Sequence, residues 1–335
     1  MKRVSFISIN NDNIDNKKII SSEDIANWVA SCANIASVIQ LGVDKPGLDL
    51  LKKNIDDKLG YLKGATILYK PIFDLASRGI MVEKGLIDID EIDLGWIISE
   101  TLDKNKDYNL NSDQNFGRLL LMSNLAMAFG YIISESNDKN YDISLDHISD
   151  ITMMFLENST PEDTVNLYKW LAENKNGDKF DILNITQSKE ETIEILLETE
   201  TNLKIFYERE AENNTIFKVL MNNYDYMFQI IIPEIDEMLK LKKTESEIII
   251  QIHILLMAEF YDSSIYQKYG RNKASKIRQK AKEIISNGSI FTNDGLNSIR
   301  DLREYLIQEH TNDYLKIIDE LTIFCTFLAL LLKKI

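Results

Sequence analysis

The chain has 335 residues, 44% hydrophobic and 27% charged, with 53 acidic against 38 basic side chains and a net charge of −15. Such a composition excludes intrinsic disorder and allows a large buried core. The acidic balance argues against nucleic acid as partner, because a phosphate backbone needs a broad cationic footprint; small nucleotides need only a few local cations and stay admissible.

Only 4 prolines and 13 glycines punctuate the chain, so each is read as a place where the backbone turns. Residues 1–20 read as an N-terminal extension, in which Arg3 to Ile9 alternates weakly. Ser21-Ser22-Glu23-Asp24 then supplies a cap and early negative charge for a helix running to about Val43. Lys45-Pro46-Gly47 ends it: proline disfavours helix at Lys45, and Gly47 permits a turn with close backbone approach. Helical spacing resumes from Tyr61 to Arg78, with Gly79 as the expected stop, and again from Ile89 to Asp103. A polar loop leads into Phe116 to Ile133, apolar almost all round, which places that helix at the centre of a bundle.

Thr160-Pro161-Glu162-Asp163 has the hydroxyl, proline and carboxylates of a helix start, and its helix extends to about Glu173. Helical pattern fills Lys189 to Met238, punctuated near Pro233, then Glu245 to Phe260, Lys273 to Ser286, Leu296 to Glu309 and Tyr314 to Lys334. No alternating strand series and no fixed-period repeat occurs, so the expected fold is all-α, one bundle-like domain over residues 21–335. The apolar run Leu321 to Leu332, following Asp319 and Glu320, is too short to span a bilayer and reads as a buried terminal helix. Cys32 and Cys325 lie in apolar helical patterns and read as reduced core residues. With no signal-peptide-like stretch at the N-terminus, the expected setting is cytoplasmic, without a membrane partner.

His147, His253 and His310 are far apart and outside any zinc spacing, and no Walker loop, dinucleotide fingerprint or nucleophile elbow is present. Chemistry, if any, rests on carboxylates, amides and lysines. Three loops at helix ends carry such groups. Asp44 to Asp49 holds Lys45 on a rigid turn. Asn111 to Gly117 precedes the most apolar helix, whose free amides and positive dipole end suit an anion as well as ordinary capping. Asp262 to Arg271 opens the densest basic stretch, in which Lys268 and Arg271 flank Gly270 as phosphate candidates, while the later lysines read as a solvated face.

In order and separation these loops resemble the triphosphoribosyl-dephospho-CoA synthase family, over roughly residues 25–332. Asp44-Lys45-Pro46-Gly47 is similar to that family's Pro-Lys-Pro-Gly turn, Asn111 to Gly117 to its Asn-rich loop with Asn115 and Gly117 kept, and Asp262 to Gly270 to its Asp-Thr-x-Ile-x-x-Lys-x-Gly segment. The chain departs from the pattern at Ile39 or Gln40, where the family has glutamate, and at Asn111-Ser112, where it has two glycines. The family's His-x-Asp after the turn is missing, and its Pro-Gly stretch before the last helix reads here only as Asn312 to Glu320.

The resemblance implies a transferase that moves the triphosphoribosyl group of ATP to the 2′-hydroxyl of dephospho-CoA or a related acceptor, releasing adenine. It implies Mg2+ with ATP as substrate, and nucleotide contacts from Lys45, Pro46, Gly47, Asn115, Gly117, Lys268, Gly270 and Arg271. Asp113 and Asp262 take the catalytic and metal roles. The departures leave a second reading open, a non-catalytic homologue that binds a nucleotide or serves in assembly; self-association is likewise left open.

Overall fold

The computed structural model describes residues 21–48, 54–111, 114–139, 144–174, 188–212, 214–309 and 315–335. Sixteen α-helices and no strand occur among the described residues, as the sequence led us to expect. They are α1 (Ser22–Ile39), α2 (Ile55–Ile67), α3 (Tyr69–Glu83), α4 (Leu94–Asp103), α5 (Phe116–Lys139), α6 (Leu145–Glu157), α7 (Pro161–Glu173) and α8 (Lys189–Glu198). There follow α9 (Leu203–Glu210), α10 (Thr215–Met221), α11 (Ile232–Lys240), α12 (Glu245–Glu259), α13 (Ser263–Tyr269), α14 (Arg271–Ser286), α15 (Asn293–Gln308) and α16 (Lys316–Leu331).

The helix starts follow the local chemistry. Ser21 accepts from the Asp24 amide at 3.1 Å, and Thr160 and Asp163 close a reciprocal capping box at α7 with Pro161 at the first turn. Thr244 and Glu247 form another at α12. The punctuation expected near Pro233 is present: the proline sits at the start of α11, where no amide is needed, behind a π-helical turn over Met227–Ile231.

Gly79 overturns its sequence reading as a stop. Helix α3 runs through it to Glu83, because the glycine serves packing: a Cβ there would lie 2.1 Å from the Met127 carbonyl oxygen of α5. Gly130 of α5 stands in the same relation to the Ala76 carbonyl, also at 2.1 Å. The two helices thus meet backbone to backbone, in the most extensive helix–helix contact of the fold. Gly79→Ala and Gly130→Ala should each cost about 1–3 kcal/mol by overpacking, read as a lower urea midpoint. Gly42→Ala, with nothing within 4 Å of its new methyl, should leave that midpoint in place.

Around this pair the buried side chains form one contiguous hydrophobic cluster, with α5 and α16 at its centre. The stretches Ser22–Gly42 and Phe116–Ser136 are long and apolar enough to cross a bilayer, but 94% of the latter's apolar window is buried inside the protein. Its apolarity is used by the core. Cys32 and Cys325 are both buried and free, and burial pushes the Cys32 thiol up to about 12.

Candidate functional site

One cluster of buried polar groups lies where the segment after α1, the start of α5 and the start of α16 meet. Lys45-Pro46-Gly47-Leu48 is a β-turn closed by the Leu48 amide donating to the Lys45 carbonyl at 3.2 Å. Gly47 has φ 79°, the left-handed value that the third residue of a type II turn requires after proline. Leu315, leading into α16, fills the space beneath it: a Cβ on Gly47 would stand 2.1 Å from Leu315 Cδ1.

Lys45 points inward and is 1% exposed. Its ammonium donates to Gln40 Oε1 at 2.8 Å and pairs with the Asp319 carboxylate of α16. Burial pushes Lys45 below the usual ammonium range; Asp319 opposes that shift and Arg118 adds to it. Behind the turn, His253 Nε2 lies 3.0 Å from the Pro46 carbonyl, which can only accept, so Nε2 carries the proton. Nδ1 lies 2.9 Å from Thr322 Oγ1. Burial and then the Lys45 charge push His253 down to about 3, so the ring is neutral.

The first turn of α5 faces the same region. Asn115 takes φ 69° and donates from Nδ2 to the Gly64 carbonyl at 2.8 Å, while its buried Oδ1 has no hydrogen-bond partner. Glu320 of α16 lies over this turn, since a Cβ on Gly117 would stand 2.2 Å from Glu320 Oε2. A carboxylate in that place meets the positive end of the helix. Arg118, next along α5, stacks on the Tyr61 ring of α2 with its guanidinium carbon 4.6 Å from the centroid. Its Nε and Nη1 and the Tyr61 hydroxyl are buried without hydrogen-bond partners. Arg118, Asp319 and Glu320 all act electrostatically on Tyr61, which burial pushes well above its ordinary value.

The sequence model for ATP:dephospho-CoA triphosphoribosyl transferase matches residues 26–313. The chain belongs to that family. Among solved structures, a putative triphosphoribosyl-dephospho-CoA synthase from Archaeoglobus fulgidus has a similar fold, with TM-score 0.54 and 18% identity over 80% of this chain and 97% of that one. No curated protein matches.

For a member of this transferase family, the structure sorts the sequence-predicted site residues into three groups. Lys45, Pro46, Gly47, Asn115 and Gly117 come together through α16, although Lys45 is engaged by Asp319 and Gly47 is packed against Leu315. Asp262 adjoins them, because the Ile318 amide donates to its Oδ2 at 3.0 Å. Lys268, Gly270 and Arg271 do not join them: all three are exposed, at the far end of α13 from its cap Asp262. Lys268 lies over the Tyr269 ring at 5.3 Å, and Gly270, with φ 83°, serves as the bend between α13 and α14.

Asp262 also departs from its assigned role as base and metal ligand. Its Oδ1 accepts from the Ser264 and Ile265 amides at 3.0 and 3.2 Å and from the Ser264 hydroxyl. With the Ile318 amide at the other oxygen, four donors engage this carboxylate. It caps α13 and also accepts from the first turn of α16, so both oxygens already serve the fold. Burial, opposed by these donors, raises its carboxyl above the ordinary range. Among the described residues no group of three or more acidic, His or Cys side chains is placed to hold a metal. Asp113, the other expected ligand, lies outside the described residues, as do Asp49 and His310.

Arg118, Tyr61, Asp319 and Glu320 belong to this buried cluster, and sequence reasoning did not assign them. The legible signals were an arginine inside the most apolar helix, directly after Gly117, and two adjacent acids heading the buried terminal helix.

Proposed function

We propose that this protein transfers the triphosphoribosyl group of ATP to the 2′-hydroxyl of dephospho-CoA or a closely related acceptor. The acceptor oxygen bonds to C1 of the ribose while the C1–N bond to adenine breaks. The hydroxyl proton leaves with a base and is regained by the departing adenine, so the transfer balances without oxidant or reductant. The observation that supports this reading best is the convergence of two stretches inside the family match, the Lys45-Pro46-Gly47 turn and the start of α5, with α16 on one buried polar cluster containing two cations and two carboxylates.

In this reading the start of α5 and Arg118 face the phosphate groups. Lys45 and Asp319 lock the turn against α16 and fix the floor beneath it. Asp113, two residues ahead of Asn115, retains the base role that family position gives it. Magnesium enters as the partner of the triphosphate.

A second reading, a nucleotide-binding or assembly protein on the same scaffold, draws on specific observations: Lys45 and Asp262 are fully engaged within the protein and Leu315 fills the space at Gly47. Chromatography of the purified protein with ATP, magnesium and dephospho-CoA separates the two. Free adenine that requires both substrates and is lost in Asp113→Asn is the expected result. ATP binding without adenine release would leave the second reading in place of the first.

A further inference from the structure

The cations that sequence position offered for phosphate, Lys268 and Arg271, are on the surface, and Lys45 is taken by Asp319. One buried cation of the cluster retains open donors. Arg118 is 5% exposed, and its Nε and Nη1 make no hydrogen bond. Buried polar groups are nearly always satisfied, since an unmatched donor forfeits its hydration with no return. Unmatched donors on a buried guanidinium are therefore better explained by a ligand than by packing. Two neighbours share the condition: the Tyr61 hydroxyl, beneath the guanidinium, and Asn115 Oδ1, at the N-terminus of α5. A helix N-terminus, a cation with free N–H groups, a hydroxyl and an amide oxygen together match a phosphate group bearing an adjacent donor.

We propose that Arg118, with Tyr61 and the first turn of α5, forms a buried subsite for the phosphate chain of the nucleotide. The choice of ligand rests on the transferase reading above. Glu320 makes the proposal specific. Its carboxylate already lies over the α5 N-terminus at Gly117, so an incoming phosphate competes with an anion supplied by the chain itself. Arg118 and Glu320 should consequently affect binding in opposite directions.

The test uses inorganic tripolyphosphate as probe, titrated calorimetrically into the full-length protein at fixed ionic strength. We expect the parent to bind it, Arg118→Lys to bind at least about tenfold more weakly because an ammonium lacks the planar donor set, and Glu320→Gln to bind more tightly. Lys268→Ala and Arg271→Ala should bind as the parent does. Thermal melts of each variant establish that it is folded, and Arg118→Lys conserves the buried charge for that reason. Equal affinity in parent and Arg118→Lys, or no binding by the folded parent, would overturn the subsite. Absence of adenine release with tripolyphosphate binding intact would sink the transfer reaction and leave the subsite standing.

Discussion

Asp319→Ala should destabilise the protein by about 3–5 kcal/mol, the cost of leaving a buried ammonium without its counter-ion. Lys45 and Asp319 have side chains 0% and 5% exposed, so neither charge is screened by solvent. The pair closes a link across 274 positions of sequence and holds the Pro46-Gly47 turn on α16. Removing both charges should cost much less than removing one, because an apolar pair of similar volume carries no desolvation penalty. A double-mutant cycle of Asp319→Leu and Lys45→Met, followed by urea unfolding, measures this. The double variant is expected to recover most of the single-variant loss. Strictly additive losses would show that the two groups do not interact.

His253 predicts a second large effect, on the acid side of the stability profile. Its ring is neutral and doubly hydrogen-bonded when folded, pushed down to about 3 from an ordinary value of 6.5. The charged groups acting on it are Lys45, Arg303 and Asp319, of which the two cations oppose protonation and Asp319 favours it. Between pH 6.5 and 3 the unfolded chain binds a proton that the folded chain refuses. The stabilisation is therefore complete above pH 6.5 and is lost as pH falls toward 3, by about 1.4 kcal/mol per unit and roughly 5 kcal/mol in total. Asp262 and Asp163, whose carboxyls burial raises, shift the profile in the opposite sense, so the comparison must be with His253→Gln. That variant cannot titrate and retains a donor for Pro46. The stability of the parent relative to the variant should fall steadily as pH drops through this window. Parallel profiles would contradict a neutral, buried His253.

The parts of the fold governed by local chemistry were legible in the sequence. The capping box at Thr160, the all-round apolar character of α5 and the turn at Pro46 each follow from neighbouring residues, and the structure has all three. Gly79 was misread because a helix stop and a close helix crossing use the same residue. Only the Met127 carbonyl, distant in sequence, distinguishes them. The site was legible as a set of loops but not as directions. That Lys45 turns inward is decided by Asp319, and that Lys268 faces solvent is decided by the orientation of α13 on its cap Asp262. Arg118 escaped notice for a related reason. A lone arginine in an apolar helix carries no motif, and its significance depends on which of its nitrogens find partners.

The nucleotide is proposed to bind where the turn after α1 and the starts of α5 and α16 converge. A crystal structure of the protein with ATP and magnesium tests it most directly. Phosphate oxygens are expected within hydrogen-bond reach of Arg118 and the first turn of α5, with Glu320 displaced from Gly117. ATP held instead on the outer surface by Lys268 and Arg271, with Arg118 untouched, would contradict it.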